Sequence, residues 1–160
     1  MALRNIREDG DPILRKKARP VTDFNDRLFD LLDDMAETMY NAPGVGLAGP
    51  QVGVLRRVVV IDVGDGLIEL INPEIIEATG EQYEVEGCLS LPGKSGITKR
   101  PMCVKVKAQN RDGRWCQYKG EGLKARAFCH EIDHLDGHLY TERLAPEEVI
   151  NQIKLENDID

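Results

Sequence analysis

Two histidines, His130 and His134, enclose Glu131, Ile132 and Asp133. On a helix, positions i and i+4 lie one above the other, so both imidazoles can reach a single metal ion. Glu131, beside the first of them, can reach a water on that metal. Two imidazoles and a carboxylate at this spacing suit metal-assisted hydrolysis. So short a pattern also arises by chance, and a lone histidine is more often a surface or satisfied core residue than a ligand. The chemistry therefore depends on a third ligand, an oxyanion donor and a substrate cleft.

Three sources of a third ligand are open. In the extended zinc-protease pattern a glycine follows the second histidine at the third position and a third histidine comes three later. Gly137 fits, but Tyr140 holds the histidine's place. His138 lies one turn after His134, beyond the glycine that should end the helix, and is expected to be exposed or structural. Glu142, Glu147 and Glu148 lie downstream among surface-like residues. Cys88, between Gly87 and Leu89-Ser90-Leu91-Pro92-Gly93, has a loop-like setting and is the best candidate. A thiolate with two imidazoles leaves a fourth position for water, and is soft enough for ferrous iron as well as zinc.

The elements that must position these groups follow from periodicity. The spacing predicts a helix over 25–41, with Leu28, Leu31, Leu32, Met35 and Met39 on one side and Pro43-Gly44 ending it. A loop follows over 44–51. The β-branched run Val58-Val59-Val60-Ile61 reads as a strand within 57–62. A turn at 64–66 leads to a strand over 67–71 that Asn72-Pro73 breaks. Extended segments are expected at 74–79 and 82–86. Residues 102–109 alternate apolar and polar, and Asp112-Gly113 turns them into a hairpin with 115–119. The histidine helix should span about 122–135, apolar on more than one side and hence buried, with Gly137 past its end. A short helix over 11–18 and a last one over 146–156, turning Val149, Ile150 and Ile153 inward, complete the chain. The expected fold class is α+β: antiparallel hairpins wrapped around a central metal-binding helix, with a C-terminal helix.

The 160 residues fit one domain, 1–160, and 41% hydrophobic with 31% charged residues is ordinary for a soluble globular protein. No apolar run is long enough to span a bilayer, and the N-terminus lacks signal-peptide character, so no membrane partner and a cytoplasmic location are expected. A net charge of −7 argues against broad nucleic-acid binding, and no specific nucleic-acid binding is expected; Lys16, Lys17 and Arg19 form a small basic run of the kind that is usually a solvated face. Four cysteines in such a chain do not suggest a disulfide scaffold. Cys103 and Cys116 read as plain strand residues and Cys129 as a buried thiol.

Three segments together resemble the peptide deformylase family: Gly44-Val45-Gly46-Leu47-Ala48-Gly49-Pro50-Gln51, Glu86-Gly87-Cys88-Leu89-Ser90 and His130-Glu131-Ile132-Asp133-His134. They occur in the family's order, and the likeness extends to the opening Asp11-Pro12-Ile13-Leu14-Arg15. The resemblance implies hydrolysis of the N-formyl group of the initiator methionine of new polypeptides, releasing formate. It implies that Cys88, His130 and His134 hold one divalent metal, ferrous iron in the cell, with zinc, nickel or cobalt able to substitute. Such an ion lowers the pKa of a bound water towards roughly 7. Glu131 would be the general base and acid, and the Gln51 amide with the Leu89 backbone N–H the oxyanion donors.

By the same resemblance, an extended peptide adds as a strand along Val45 and Gly46, with Gly87 also among the substrate-binding residues. Val45, Leu123, Ala127 and the His130 ring would wall the methionine pocket. Glu86 and Arg100 stand where the family has a supporting ion pair. The expected partners are N-formylmethionyl nascent peptides, with transient ribosome contact and a monomeric state. Three departures from the family stand out: Gly49 where alanine is common, expected to loosen its loop; Cys129 before the first histidine, at a position the family fills variably; and a short acidic end, Leu155 to Asp160, where some members carry a longer basic tail.

Overall fold

The computed structural model describes residues 2–156. Two helices sandwich a five-stranded antiparallel sheet, and a separate hairpin closes over the second of them. The strands of the larger sheet run in the order β1 (Gly46–Ala48), β2 (Val58–Ile61), β3 (Ile68–Thr79), β6 (Cys103–Gln109) and β7 (Trp115–Glu121). The hairpin pairs β4 (Gln82–Cys88) with β5 (Leu91–Arg100).

The period-2 alternation of side chains explains the layering. In β2, Val59 and Ile61 face a cluster with Ala125, Phe128, Ile132 and Leu135 of α2 (Leu123–Leu135). Val58 and Val60 face the other way, onto Leu28, Leu31, Leu32, Met35 and Met39 of α1 (Asp26–Asn41). All four β2 residues are fully buried. Burial of each such side chain stabilises by about 1.5–3 kcal/mol. Helix α1 starts where the Asn25 side chain accepts a hydrogen bond from Leu28 N at 3.2 Å. Helix α2 lies between this sheet and the β4–β5 hairpin, as a central helix wrapped by antiparallel strands should. It ends at Gly137, whose φ of +80° suits only glycine, and a Cβ there would meet Arg15 O at 2.5 Å. The last helix, α3 (Glu147–Glu156), half-buries Val149, Ile150 and Ile153. Residues 157–160 of the acidic end lie outside the described residues.

The structure departs from expectation at four places. The short helix expected over 11–18 is a 3-10 turn over Pro12–Arg15, and the chain is no longer helical at 16–18. Asn72-Pro73 does not break a strand. It forms a bulge within a continuous β3, where Asn72 adopts φ +52° and its side chain bonds Val21 and Gln109. Part of the 44–51 loop is strand β1, followed by a 3-10 turn over Gly49–Val52. Residues 91–100 form strand β5, which the sequence did not suggest. Its second edge is held by residues 143–145, through Lys99 N to Arg143 O at 3.0 Å and Ala145 N to Ile97 O at 2.9 Å.

Candidate metal centre and substrate cavity

Helix α2 turns His130 and His134 to one side, with their Nε2 atoms 3.2 Å apart. Cys88, at the end of β4, brings its Sγ to 3.4 Å from His134 Nε2. The three ligand atoms lie within 4.8 Å of one another, and among the described residues no other His, Cys, Asp or Glu joins the group. Two nitrogen ligands at about 2.0–2.1 Å and a sulfur at about 2.3 Å from a tetrahedral ion stand roughly 3.3–3.6 Å apart, close to the spacings found here. The donor set therefore fits a divalent cation. Glu142, which is exposed, pairs instead with His138, which is half-buried, and with Arg15. Tyr140 is buried with its ring 6.3 Å from that of His130.

Behind His130 the polar groups are fully matched. His130 Nδ1 donates to Glu86 Oε1 at 2.5 Å, which leaves Nε2 facing the cluster. Glu86 also accepts from Thr98 Oγ1 at 2.6 Å and from Arg100 Nη2 at 2.8 Å. Arg100 in turn donates to Asp133 at 2.7 Å, and Arg143 adds two further bonds to Asp133. Burial raises the pKa of Glu86, but His130 and Arg100 more than offset it and leave it at about 2. Burial opposes a positive charge on His130, yet Glu131, Cys88 and Glu86 hold its pKa well above the usual value. Burial, with the charges of His130 and Arg100, pulls His134 well below it.

Two buried polar atoms here have no hydrogen-bond partner: Glu131 Oε1, and His134 Nδ1 on the side of its ring opposite the Nε2 that faces the cluster. Burial, helped by Glu86 and Asp133, pushes Glu131 up to about 7. Gly46 lies so close to this carboxylate that a Cβ would meet Glu131 Oε2 at 2.6 Å. Gln51 is buried, and its Oε1 accepts from Ala48 N at 3.0 Å. That orients Nε2 towards Ser90 Oγ at 3.1 Å and Cys88 Sγ at 3.6 Å. Ser90 N donates to Cys88 Sγ at 3.4 Å.

A cavity of about 370 Å³ opens at this cluster. Val45, Gly46, Gly87, Leu89, Leu123 and Ala127 all line it, together with Gln51, Cys88, His130 and Glu131. It lies between β1 and β4. Val85, Val45 and Leu123 are exposed at its walls, at 59%, 43% and 44%, an apolar rim that a ligand would cover. Ser90, Thr98, Asp133 and Arg143 were not singled out from the sequence. Of these only Asp133, one helical turn from His130, left a signal there.

The sequence matches the family model described as "Polypeptide deformylase" over residues 3–149. The chain belongs to that family. Its members are metal-dependent hydrolases that remove the N-formyl group from nascent peptides, and this chain is one of them. It is 60% identical over 147 residues to a peptide deformylase of Alkaliphilus metalliredigens, covering 92% of this chain and all of that one. It is 63% identical over 144 residues to one of Acetivibrio thermocellus, covering 90% and 85%. A crystal structure of peptide deformylase from Thermotoga maritima superimposes with a TM-score of 0.88 at 46% identity, covering 90% of this chain and 99% of that one.

Proposed function

We propose that residues 1–160 act as one catalytic domain in the cytoplasm, in which Cys88, His130 and His134 hold a single divalent ion, ferrous iron in the cell, with zinc, nickel or cobalt able to replace it. That ion supplies Lewis acidity, which makes water a competent nucleophile near neutral pH. The single observation that carries the assignment is the lone buried Oε1 of Glu131 beside the cluster, in a carboxyl group pushed up to about 7. A carboxylate so tuned can take a proton from the attacking water and return it to the leaving amine, typically worth about 10²- to 10⁴-fold.

In the reaction the formyl C–N bond breaks and a new C–O bond forms. Formate departs, and the amine of methionine takes the proton from Glu131. Gln51 Nε2 and the Leu89 backbone N–H stabilise the formyl oxygen as charge builds on it, each donor contributing on the order of 10²- to 10³-fold. The Gln51 contact to Ser90 Oγ supports this role by aiming the amide before substrate arrives. The peptide lies extended between β1 and β4, using backbone groups of Val45, Gly46 and Gly87. The methionine side chain enters between Val45, Leu123, Ala127 and the His130 ring. The substrate is an N-formylmethionyl nascent chain, met by a monomer in transient contact with the ribosome.

Formate release from N-formyl-Met-Ala-Ser, by protein loaded anaerobically with ferrous iron or nickel, tests this assignment. Rapid release with no digestion of casein is expected. Casein digestion blocked by a chelator, without formate release, would favour an endopeptidase instead.

A further inference from the structure

Leu123, Arg126, Ala127 and His130 recur at i, i+3, i+4 and i+7, and all four line the substrate cavity from one side of α2. Arg126 therefore stands one helical turn from His130, among the groups that wall the methionine side chain. It differs from the other arginines that are buried or half-buried. Arg4, Arg57, Arg100 and Arg111 each pair with a carboxylate, whereas among the described residues Arg126 pairs with none. Its Nη1 donates instead to the neutral Oε1 of Gln82 at 2.7 Å. Gln82 is buried, and its Nε2 donates to Pro101 O and Gly122 O, each at 2.9 Å. Those two bonds decide which way the amide faces, so Oε1 is fixed as a tether for the guanidinium. A guanidinium carries five N–H donors, and the tether takes only one of them. The carboxylates on the cavity wall belong to the metal-ligand end: Glu86 is bonded to His130 and Arg100, and Glu131 lies against Gly46. Beside Arg126 the wall is apolar, made by Val45, Val85, Leu123 and Ala127.

Methionine itself makes little use of a tethered cation with spare donors. A thioether sulfur is a weak acceptor, and the rest of the side chain is apolar. Methionine sulfoxide differs by one oxygen, which is polar and costly to bury without a donor. We propose that Arg126 admits N-formylmethionine sulfoxide as a second substrate, donating to the sulfoxide oxygen while Gln82 holds the guanidinium in place. The inference rests on the reading that this cavity takes the methionine side chain. A formyl group marks the initiator residue, so the variation the cavity meets at that position is oxidation of the sulfur rather than a different amino acid. The bond changes are those of the methionine substrate: the formyl C–N bond breaks, water supplies the new C–O bond, formate departs, and the sulfoxide passes through unreduced. Oxidation also makes the sulfur chiral. Because the tether fixes the donor on one side of the cavity, the two epimers present their oxygen to it differently, and one of them is preferred.

The test compares formate release from N-formyl-Met-Ala-Ser and from the same peptide carrying methionine sulfoxide, each sulfur epimer separately, by the nickel-loaded full chain. The quantity read is the ratio of kcat/KM for the sulfoxide to kcat/KM for methionine. In the wild type one epimer should reach at least about a tenth of the methionine value, the discrimination left once a donor to a charged group meets the oxygen. In Arg126→Leu the ratio for that epimer should fall by about tenfold to a hundredfold, the worth of one such hydrogen bond, and the preference between epimers should shrink with it. Arg126→Lys should fall in between, since an ammonium still donates but lacks the planar fork that the tether orients. A loss of packing alone would lower both substrates together and leave the ratio where it was. Should Arg126→Leu fail to fold, judged by its melting temperature, Arg126→Gln removes the charge with a polar side chain and reads the same ratio. An unchanged ratio in the neutral variant, or a wild type that releases formate from the methionine peptide and from neither epimer of the sulfoxide, would overturn the proposal and leave the functional reading standing. No release from the methionine peptide would strike that reading, and the proposal with it.

Discussion

The five-stranded sheet and the β4–β5 hairpin each supply one wall of the cavity, and they hold their residues by different means. The sheet is dry. Val58, Val59, Val60 and Ile61 are fully buried, and β1 borrows its position from them through pairing with β2. The hairpin exposes Glu84, Val85 and Lys99, and besides Leu91 and Ile97 what it buries is polar: Gln82, Glu86, Thr98 and Arg100. Packing thus fixes Gly46 and Gln51, while a charge clamp across α2 fixes Cys88 and the back of His130. The two walls should therefore fail differently when perturbed.

The largest effect should come from the clamp. Arg100→Met leaves buried Glu86 without its guanidinium partner and half-buried Asp133 with Arg143 alone, a loss of about 3–5 kcal/mol in urea unfolding. Because Glu86 orients His130, metal affinity should also fall by roughly 10- to 100-fold, measurable by cobalt titration. A stable variant with unchanged affinity would show that the clamp is dispensable. Next comes the dry wall: Ile71→Ala, on the α1 side, should cost about 2–5 kcal/mol through its cavity yet leave cobalt affinity near the wild-type value. Coupled loss of both would erase the distinction between the walls.

Acid should loosen the clamp more gently. The folded pKa of Glu86 is held at about 2, below its ordinary 4.5, so its contribution is complete above about pH 4.5 and drains as pH falls towards 2. Stability measured by urea should drop more steeply through that window in the wild type than in Glu86→Gln. A smaller effect is expected at Gly49. A Cβ there would meet Arg56 O at 2.6 Å and Val54 O at 2.8 Å, so this glycine tightens its loop rather than loosening it. Gly49→Ala should cost about 1–3 kcal/mol; a neutral or stabilising result would mean that the backbone gives way cheaply.

What could be read in the sequence follows the same division. The apolar spacing of α1, the β-branched run of β2 and the buried character of α2 are visible because a dry layer leaves a periodic trace. Strand β5 leaves none. Leu91–Arg100 contains Pro92, Gly93 and Gly96 with exposed lysines, and its shape comes from β4 and residues 143–145. Asn72-Pro73 looks like a break because its stabilising partners, Val21 and Gln109, are remote in sequence. In the site, the i, i+4 histidines announce themselves, and Cys88 is marked by its loop setting and by the resemblance of its segment. Ser90, Thr98 and Arg143 are ordinary residues until the hairpin folds back over α2.

The central claim is that Glu131 moves the proton for hydrolysis at the Cys88, His130 and His134 centre. Formate release from N-formyl-Met-Ala-Ser by Glu131→Ala, with metal content verified at one ion per chain, tests it most directly. The account predicts metal retention with activity lowered by at least about 10²-fold. Full activity in the metal-loaded variant would contradict it.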